Sequence, residues 1–473
     1  MALPNIVLIH SDQHRYDMIG SNGNRVVRTP NLDRLAAGGA SFEHAFSTCP
    51  ICTPARASLM TGAWPTTHRS LCIPTSDFWQ PARRELPVLT ELIANAGYYV
   101  GMVGKYHQEL EGGPTDHGVA DYVPNGAYRS WCAEHGLPAP DRRMGLFGAV
   151  MDDRPPEASP VAFQADRVLD MLDAASADAA SAGSAPFFIR WDPPEPHLPC
   201  HPPKRFLDMY DGRQIPPWPS FPDPLDGKPD PQRRQHTLWG TGGWGWERWE
   251  PFVRLYYAQV TELDHHIGRV MDRLDANGLS DDTLVIYSTD HGDFCGGHGL
   301  MDKHFSMYDD ILRVPLVVRW PGRIAAGSRP DGFVSQEIDI ARTILEAAGI
   351  AAPESFVGTD LVAHAAGAVA RRDDIFSQYF GTETGMYSSR MVRDRSWKYV
   401  WNPLHGDELY RVETDPGELV NFVEDPAYAD QVARLRRRLV DWMETVGDRL
   451  LNVWTKVELL GEPNAWQRAV EGR

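Results

Sequence analysis

The chain has 473 residues, 42% of them hydrophobic and 23% charged, which is ordinary for a globular protein long enough to form two domains. Lys plus Arg total 46 against 64 for Asp plus Glu, a formal net charge of −18. Such a balance argues against nucleic acid or an anionic membrane as partner, but it leaves room for a local basic pocket around an anionic substrate. No run of about 18 apolar residues suggests a membrane span.

The opening "NIVLIHSD" reads as a buried strand ending on polar residues. The N-terminus has no basic segment or small-residue cleavage site before it, which favours a cytoplasmic protein. "TPNLDRLAAGG" predicts a helix with Thr29 as cap, Pro30 in the first turn and Gly38 at the end. "LPVLTELIANAGYYVGMVGK" predicts a helix, a stop at Gly97 and a strand. Further on, "AFQADRVLDMLDAA" reads as a helix, "AASADAASAGSA" as a low-complexity surface connection, and "PFFIRWDPP" as a strand. The Pro-, Gly- and Trp-rich segment from Pro216 to Pro251 reads as irregular. After it come a long amphipathic helix, "RLYYAQVTELDHHIGRVMDRLDANG", the strand "DTLVIYSTDHG", the strand "VPLVVRWPG" and the helix "EIDIARTILEAAG".

Repeated strand-then-helix units predict an α/β fold, a large mixed, mostly parallel central sheet flanked by helices. From about residue 376 the texture changes. "SSRMVRDRSWKYVWNP" and "ELYRVETDPGE" predict antiparallel strands, and "YADQVARLRRRLVDWMETVG" a helix. The expected division is 1–375 for a large α/β unit and 376–473 for a smaller antiparallel-sheet-plus-helix subdomain and tail.

Ligands of such sheets bind at the carboxyl ends of the strands. Polar residues gather there repeatedly: Asp12 and Gln13, Lys105 with His107, His197, and Asp290 with His291. Isolated Asp17, Asp33, His44 and His68 read as structural. Asp293 and His298 read as supports close to the last pair, and Cys49 and Cys295 as packing residues. The six cysteines are scattered and read as free thiols rather than a disulfide framework.

"STCPICTPARASLMTG", residues 47–62, holds two cysteines at C-x-x-C spacing. A redox pair would put both thiols at a helix start, and zinc needs a second ligand pair. Only Cys52 precedes a helix signal, and no second pair is spaced to match. Taken from Cys52 alone, the pattern is Cys52-Thr53-Pro54-Ala55-Arg56, or C-x-P-x-R. Here the chain resembles the type I sulfatases of the alkaline phosphatase superfamily. "PNIVLIHSDQHRYDMIG", "TPNLDRLAAGGASFEHAFS", "GKYH", "EPHLP", "STDHGDFCGGHGLMDKH" and "GDELYRVETDPGE" are similar to that family's blocks, in the family's order.

The resemblance implies an alkaline phosphatase/sulfatase-like fold and hydrolysis of an alkyl, aryl or sugar sulfate. It implies that a maturation enzyme converts Cys52 to formylglycine, whose hydrate is the nucleophile. It also implies one divalent metal held by Asp12, Gln13, residue 52, Asp290 and His291. Calcium comes first, with manganese or magnesium as alternates because Gln13 and His291 replace more usual oxygen ligands. By the same resemblance Arg56 holds the hydrate, Lys105 and Lys303 grip sulfate oxygens, His107 takes the proton that triggers sulfate release, and His197 protonates the leaving alcohol together with Lys303.

Two other readings stay open. One is a phosphonate monoester or phosphodiester hydrolase using the same formylglycine site; the other is a sulfatase-like binder in which Cys52 stays a thiol. The specificity elements are expected in the Trp-rich segment, around residues 108–160 and in the tail after Trp454. A small-molecule substrate and a possible homo-oligomer complete the expectations.

Overall fold

The computed structural model describes residues 3–107, 109–138, 147–179, 185–382, 385–461 and 467. In chain order its strands are β1 Asn5–Ser11, β2 Ala40–Ser41, β3 Ala45–Phe46, β4 Tyr99–Gly104, β5 Asp121–Pro124, β6 Phe187–Asp192, β7 Thr283–Thr289, β8 Val317–Arg319, β9 Val334–Ser335, β10 Ile375–Thr382, β11 Gly385–Arg393, β12 Lys398–Trp401 and β13 Glu408–Tyr410. Seven of them form one sheet in the order β2-β8-β7-β1-β6-β4-β5. From β7 to β5 all neighbours are parallel, while β8 runs antiparallel to β7 and to β2. The expected mixed, mostly parallel sheet is borne out.

Alternation along the strands explains why helices cover both faces. Ile6, Leu8, Val100, Met102, Phe188, Leu284 and Ile286 face one way and pack on the helices Leu89–Asn95 and Gln336–Ala347. Val7, Ile9, Val103, Ile189, Trp191, Val285 and Tyr287 face the other way, onto the helices Pro30–Ala37, Pro160–Ala179 and Trp246–Ala276. A strand buried on both faces reads as a continuous apolar run, which is why "NIVLI" carries no polar residue after its first.

β10 to β13 form a four-stranded antiparallel sheet. Phe376, Val392, Tyr399, Trp401 and Leu409 pack on the helix Ala429–Thr445. Ile375, Tyr379, Met391 and Val400 pack with Phe46, Cys49 and Ile51, just ahead of Cys52. The small sheet therefore buttresses the segment that leads into the C-x-P-x-R motif.

Three local expectations need correction. The Trp-rich segment is not wholly irregular: it contains the helix Asp230–Trp239, and the long helix already begins at Trp246 with Pro251 inside it. Pro231 sits in the first turn of its helix, where a missing N–H removes no bond. The Ala-rich segment after Asp173 continues the Pro160–Ala179 helix, since alanine is the strongest helix former; residues 180–184 lie outside the described residues. Thr29 stands at the N-cap position, but its side chain does not cap. The Asp264 carboxylate from the long helix instead accepts from the amides of Asn31 at 3.1 Å and Leu32 at 2.7 Å. Among the described residues, no helix is long and apolar enough to cross a membrane.

Candidate active site

β7, β1, β6 and β4 are adjacent and parallel, so their carboxyl ends open on one edge. Asp12 follows β1, Asp290 follows β7, Asp192 ends β6 and Lys105 follows β4. Four charged residues thus meet because the topology makes four strand ends neighbours. At Gly104, φ is +114° and an added Cβ would lie 2.1 Å from the Asp192 carbonyl oxygen. The glycine permits that approach, and the Lys105 amide then donates to the same oxygen at 2.7 Å.

The helix Cys52–Thr61 places Cys52 at its first position and Arg56 one turn later. Arg56 is fully buried. Its Nε donates to Asp290 Oδ2 at 2.8 Å, Nη1 to Asp192 Oδ1 at 2.9 Å, and Nη2 to Asp12 Oδ2 and the Ser11 carbonyl, both at 3.2 Å. One guanidinium, with five donors in a fixed fork, therefore ties three strand ends to the Cys52 helix.

Asp12 also accepts from Lys105 Nζ. Burial alone would raise the Asp12 pKa, but Lys105, His197 and Arg56 outweigh it and hold the carboxyl well below its ordinary value. Burial likewise opposes ionisation of Cys52; Lys105 and Lys303, with a hydrogen bond to His107, pull its thiol well down. The position of residue 52 favours negative charge, which the positive end of its helix reinforces.

Gln13 adopts φ = +64°, a conformation uncommon for a residue with a side chain. There its amide donates to Asp290 Oδ1 at 3.1 Å, its Nε2 donates to Asp293, and its Oε1 accepts from Lys303 Nζ at 2.9 Å. Lys303 Nζ also donates to His197 Nε2 at 2.7 Å. His197 Nδ1 donates to the Leu198 carbonyl at 2.6 Å. Burial first and Lys303 second hold His197 down to about 4, so its Nε2 is an acceptor near neutrality. Burial would lower Lys303, but Asp302 and Cys52 raise it, keeping it charged.

Asp12, Cys52, Asp290 and His291 each offer one ligand atom within 4.8 Å of all the others. His291 Nδ1 donates to the Gly292 carbonyl at 2.8 Å, which leaves Nε2 with a free lone pair. His291 Nε2 and Asp12 Oδ1 are both buried with no hydrogen-bond partner, and they stand 3.9 Å apart. Burial lowers His291, but Asp290 and Cys52 lift it to about 9, so a proton occupies the Nε2 lone pair until a cation takes its place. This corner favours a positive charge, and its unpartnered lone pairs suit a divalent cation.

All ten residues selected from the sequence meet here. Asp12, Gln13, Arg56, Lys105, His197, Asp290 and Lys303 form one hydrogen-bonded and ion-paired chain, and Cys52 touches His107 and His291. Asp293 supports Gln13, whereas His298 is bonded to Asp223, away from the cluster. Sequence reasoning missed Asp192, which accepts from Arg56 and Arg190, and Asp302, which pairs with Lys303 and His304. Asp192 carried the same signal as Asp12 and Asp290, an acidic residue at the carboxyl end of an apolar strand.

A family model described as Sulfatase matches residues 4–350. The chain belongs to the sulfatase family. A second model, described as N-sulphoglucosamine sulphohydrolase, C-terminal, matches residues 296–445. The sulfatase is 28% identical to "Arylsulfatase" from Clostridium perfringens (strain 13 / Type A), with 95% of this chain and 97% of the relative covered. It is also 28% identical to "Choline-sulfatase" from Rhizobium meliloti (strain 1021), over 89% and 83% of the two chains. Its fold is shared with the crystal structure of phosphonate monoester hydrolase of Agrobacterium radiobacter, at a TM-score of 0.79 and 23% identity, covering 94% of this chain and 96% of that one. The sulfatase hydrolyses a sulfate ester.

Proposed function

We propose that this sulfatase cleaves a small-molecule sulfate ester through a formylglycine hydrate made from Cys52 by a maturation enzyme, with residues 1–375 carrying the chemistry and 376–473 closing the site. The observation that carries this reading is the setting of residue 52. It lies at a helix N-terminus, near the half-buried Lys105 and the buried Lys303 and against two histidines. A hydrated aldehyde there has one hydroxyl for sulfur and a second whose deprotonation expels sulfate. Asp12, Gln13, residue 52, Asp290 and His291 would hold one divalent cation. Bound there, a cation lowers the nucleophile's pKa and grips a sulfate oxygen. Calcium is our first choice and manganese or magnesium the alternates, because one imidazole joins the oxygen donors.

The protein's own groups divide the rest. Arg56 fixes residue 52 against the strand ends and offsets charge. Lys105 and Lys303 bind sulfate oxygens, placed to stabilise charge that develops in the transition state. His107 takes the hydrate proton. His197 and Lys303 share the proton destined for the leaving alcohol; the charged Lys303 carries it and His197 relays it. The five other cysteines, all free and buried, support a cytoplasmic setting.

The test is made on protein from its native host. The peptide carrying Cys52 is weighed, and a sulfate and a phosphodiester sharing one leaving group are compared with and without a chelator. A formylglycine mass, faster sulfate release and metal-dependent activity are expected. A chelator-resistant reaction removes the metal, and a preference for the phosphodiester promotes the phosphodiesterase reading.

A further inference from the structure

Phe305, two residues after Lys303, lines an apolar surface cavity of about 420 Å³ with Leu238, Met386, Tyr387 and His405 among others. Leu238 is 59% exposed and Met386 65% exposed, which is unusual for large apolar side chains in the rim of a cavity. Phe305 lies two residues after Lys303, so their Cα atoms are at most about 7 Å apart. It meets Tyr387 edge to face at 6.0 Å, and Tyr387 meets His405 at 5.0 Å. The Asp230–Trp239 helix, which carries Leu238, also holds the catalytic loop: Gln235 Nε2 donates to the Lys303 carbonyl at 2.6 Å. One wall of the cavity is therefore built from the same elements that position Lys303.

Lys303 and His197 mark where the leaving oxygen must sit if they supply its proton. Whatever that oxygen is attached to extends from that point. The one Lys, Arg, Asp or Glu among the described lining residues, Arg234, is paired with Asp230 at 2.7 Å. A sulfated polysaccharide presents repeated anions, and the described lining offers them no unpaired Lys or Arg.

We infer that the cavity receives the alcohol portion of the substrate and that this portion is an apolar alkyl or aryl body. The inference rests on the sulfatase reading of Lys303 and His197. Full burial of a methylene corresponds to about a four-fold gain in affinity.

The experiment compares kcat/KM for ethyl, hexyl and octyl sulfate on the mature, metal-loaded protein. It also titrates the matching non-hydrolysable alkyl sulfonates by calorimetry, in the wild type and in Leu238→Asp and Met386→Asp. Both series are expected to rise by about two- to four-fold per methylene and to flatten in the two variants. Sulfate release with no dependence on chain length overturns the cavity's role and leaves the sulfatase chemistry intact. If a verified formylglycine protein releases no sulfate from any ester, the catalytic reading fails, and the sulfonate titration still decides the cavity. If either variant instead converts a dimer to a monomer while the chain-length series is unchanged, a second copy covers the cavity and the inference is overturned.

Discussion

Arg56 is held by three carboxylates and a carbonyl with no exposure to water. Lysine at this position carries the charge but reaches only some of those partners and leaves buried oxygens unpaired. Arg56→Lys is expected to lose about 3–5 kcal/mol of stability and most activity, read by denaturant unfolding alongside sulfate release; unchanged stability would mean the three strand ends hold each other without it. His197 makes a sharper test because its neutral Nε2 faces the charged Lys303. If the pair protonates the leaving oxygen, His197→Ala should slow an alkyl sulfate by about 10²–10⁴-fold. An activated aryl sulfate, whose alcohol leaves without help, should slow far less. Equal losses on both substrates would assign His197 to binding instead.

At the scale of elements, the helix Ala429–Thr445 pins the small sheet. Trp442 stacks on Phe376 at 4.6 Å with the rings nearly parallel, and meets Trp64 edge to face at 5.0 Å. Trp64 lies just after the helix Cys52–Thr61, so one indole joins the small sheet to the segment that carries Cys52. Trp442→Ala should cost about 3–5 kcal/mol, measured as a lower denaturant midpoint; a change below 1 kcal/mol, roughly, would show that the surroundings refill the space. The strands of the seven-stranded sheet and the helices on it were legible because each apolar run ends at a polar strand end or a glycine. The Trp-rich segment was misread because proline density signals a break only where an N–H is needed, and Pro231 sits where none is. The site was legible wherever a motif spans few residues. What could not be read was partnership: nothing local in "FFIRWD" says that Asp192 receives Arg56, because that contact exists only once β6 lies beside β1. Similarly, Asp264 caps a helix 233 residues away in the chain.

The whole molecule carries two opposed sets of buried titratable groups. Burial lowers His14 to about 4 and His68 and His266 to about 3. These stay neutral when folded and protonate near 6.5 when unfolded, so their contribution is present above pH 6.5 and is lost as the pH falls. Burial raises Asp264 to about 7 and Glu337 to about 8, against bonds from Leu32 and from Ser47 and Thr48. Their contribution is present at low pH and is lost as the pH rises through those values. Stability should therefore peak near pH 6.5, as scanned by thermal unfolding from about pH 4.5 to 8.5. Glu337→Gln keeps partners for Ser47 and Thr48 and should make the alkaline decline shallower. A decline as steep as in the wild type would mean that Glu337 already ionises in the folded state.

The five residues Cys52 to Arg56 have a further consequence. Cys52 is 2% exposed, Thr53, Ala55 and Arg56 are fully covered, and Pro54 is buried with them. An enzyme that reads this stretch needs it extended and free. Once Arg56 has closed on its three aspartates, the stretch is out of reach, so on the formylglycine reading the modification would have a deadline: the nascent or unfolded chain is its only substrate. A molecule that folds first would be committed to carrying a thiol. On that reading the share of chains able to carry the nucleophile would be fixed by a race during synthesis, and a cation added later could activate only those chains.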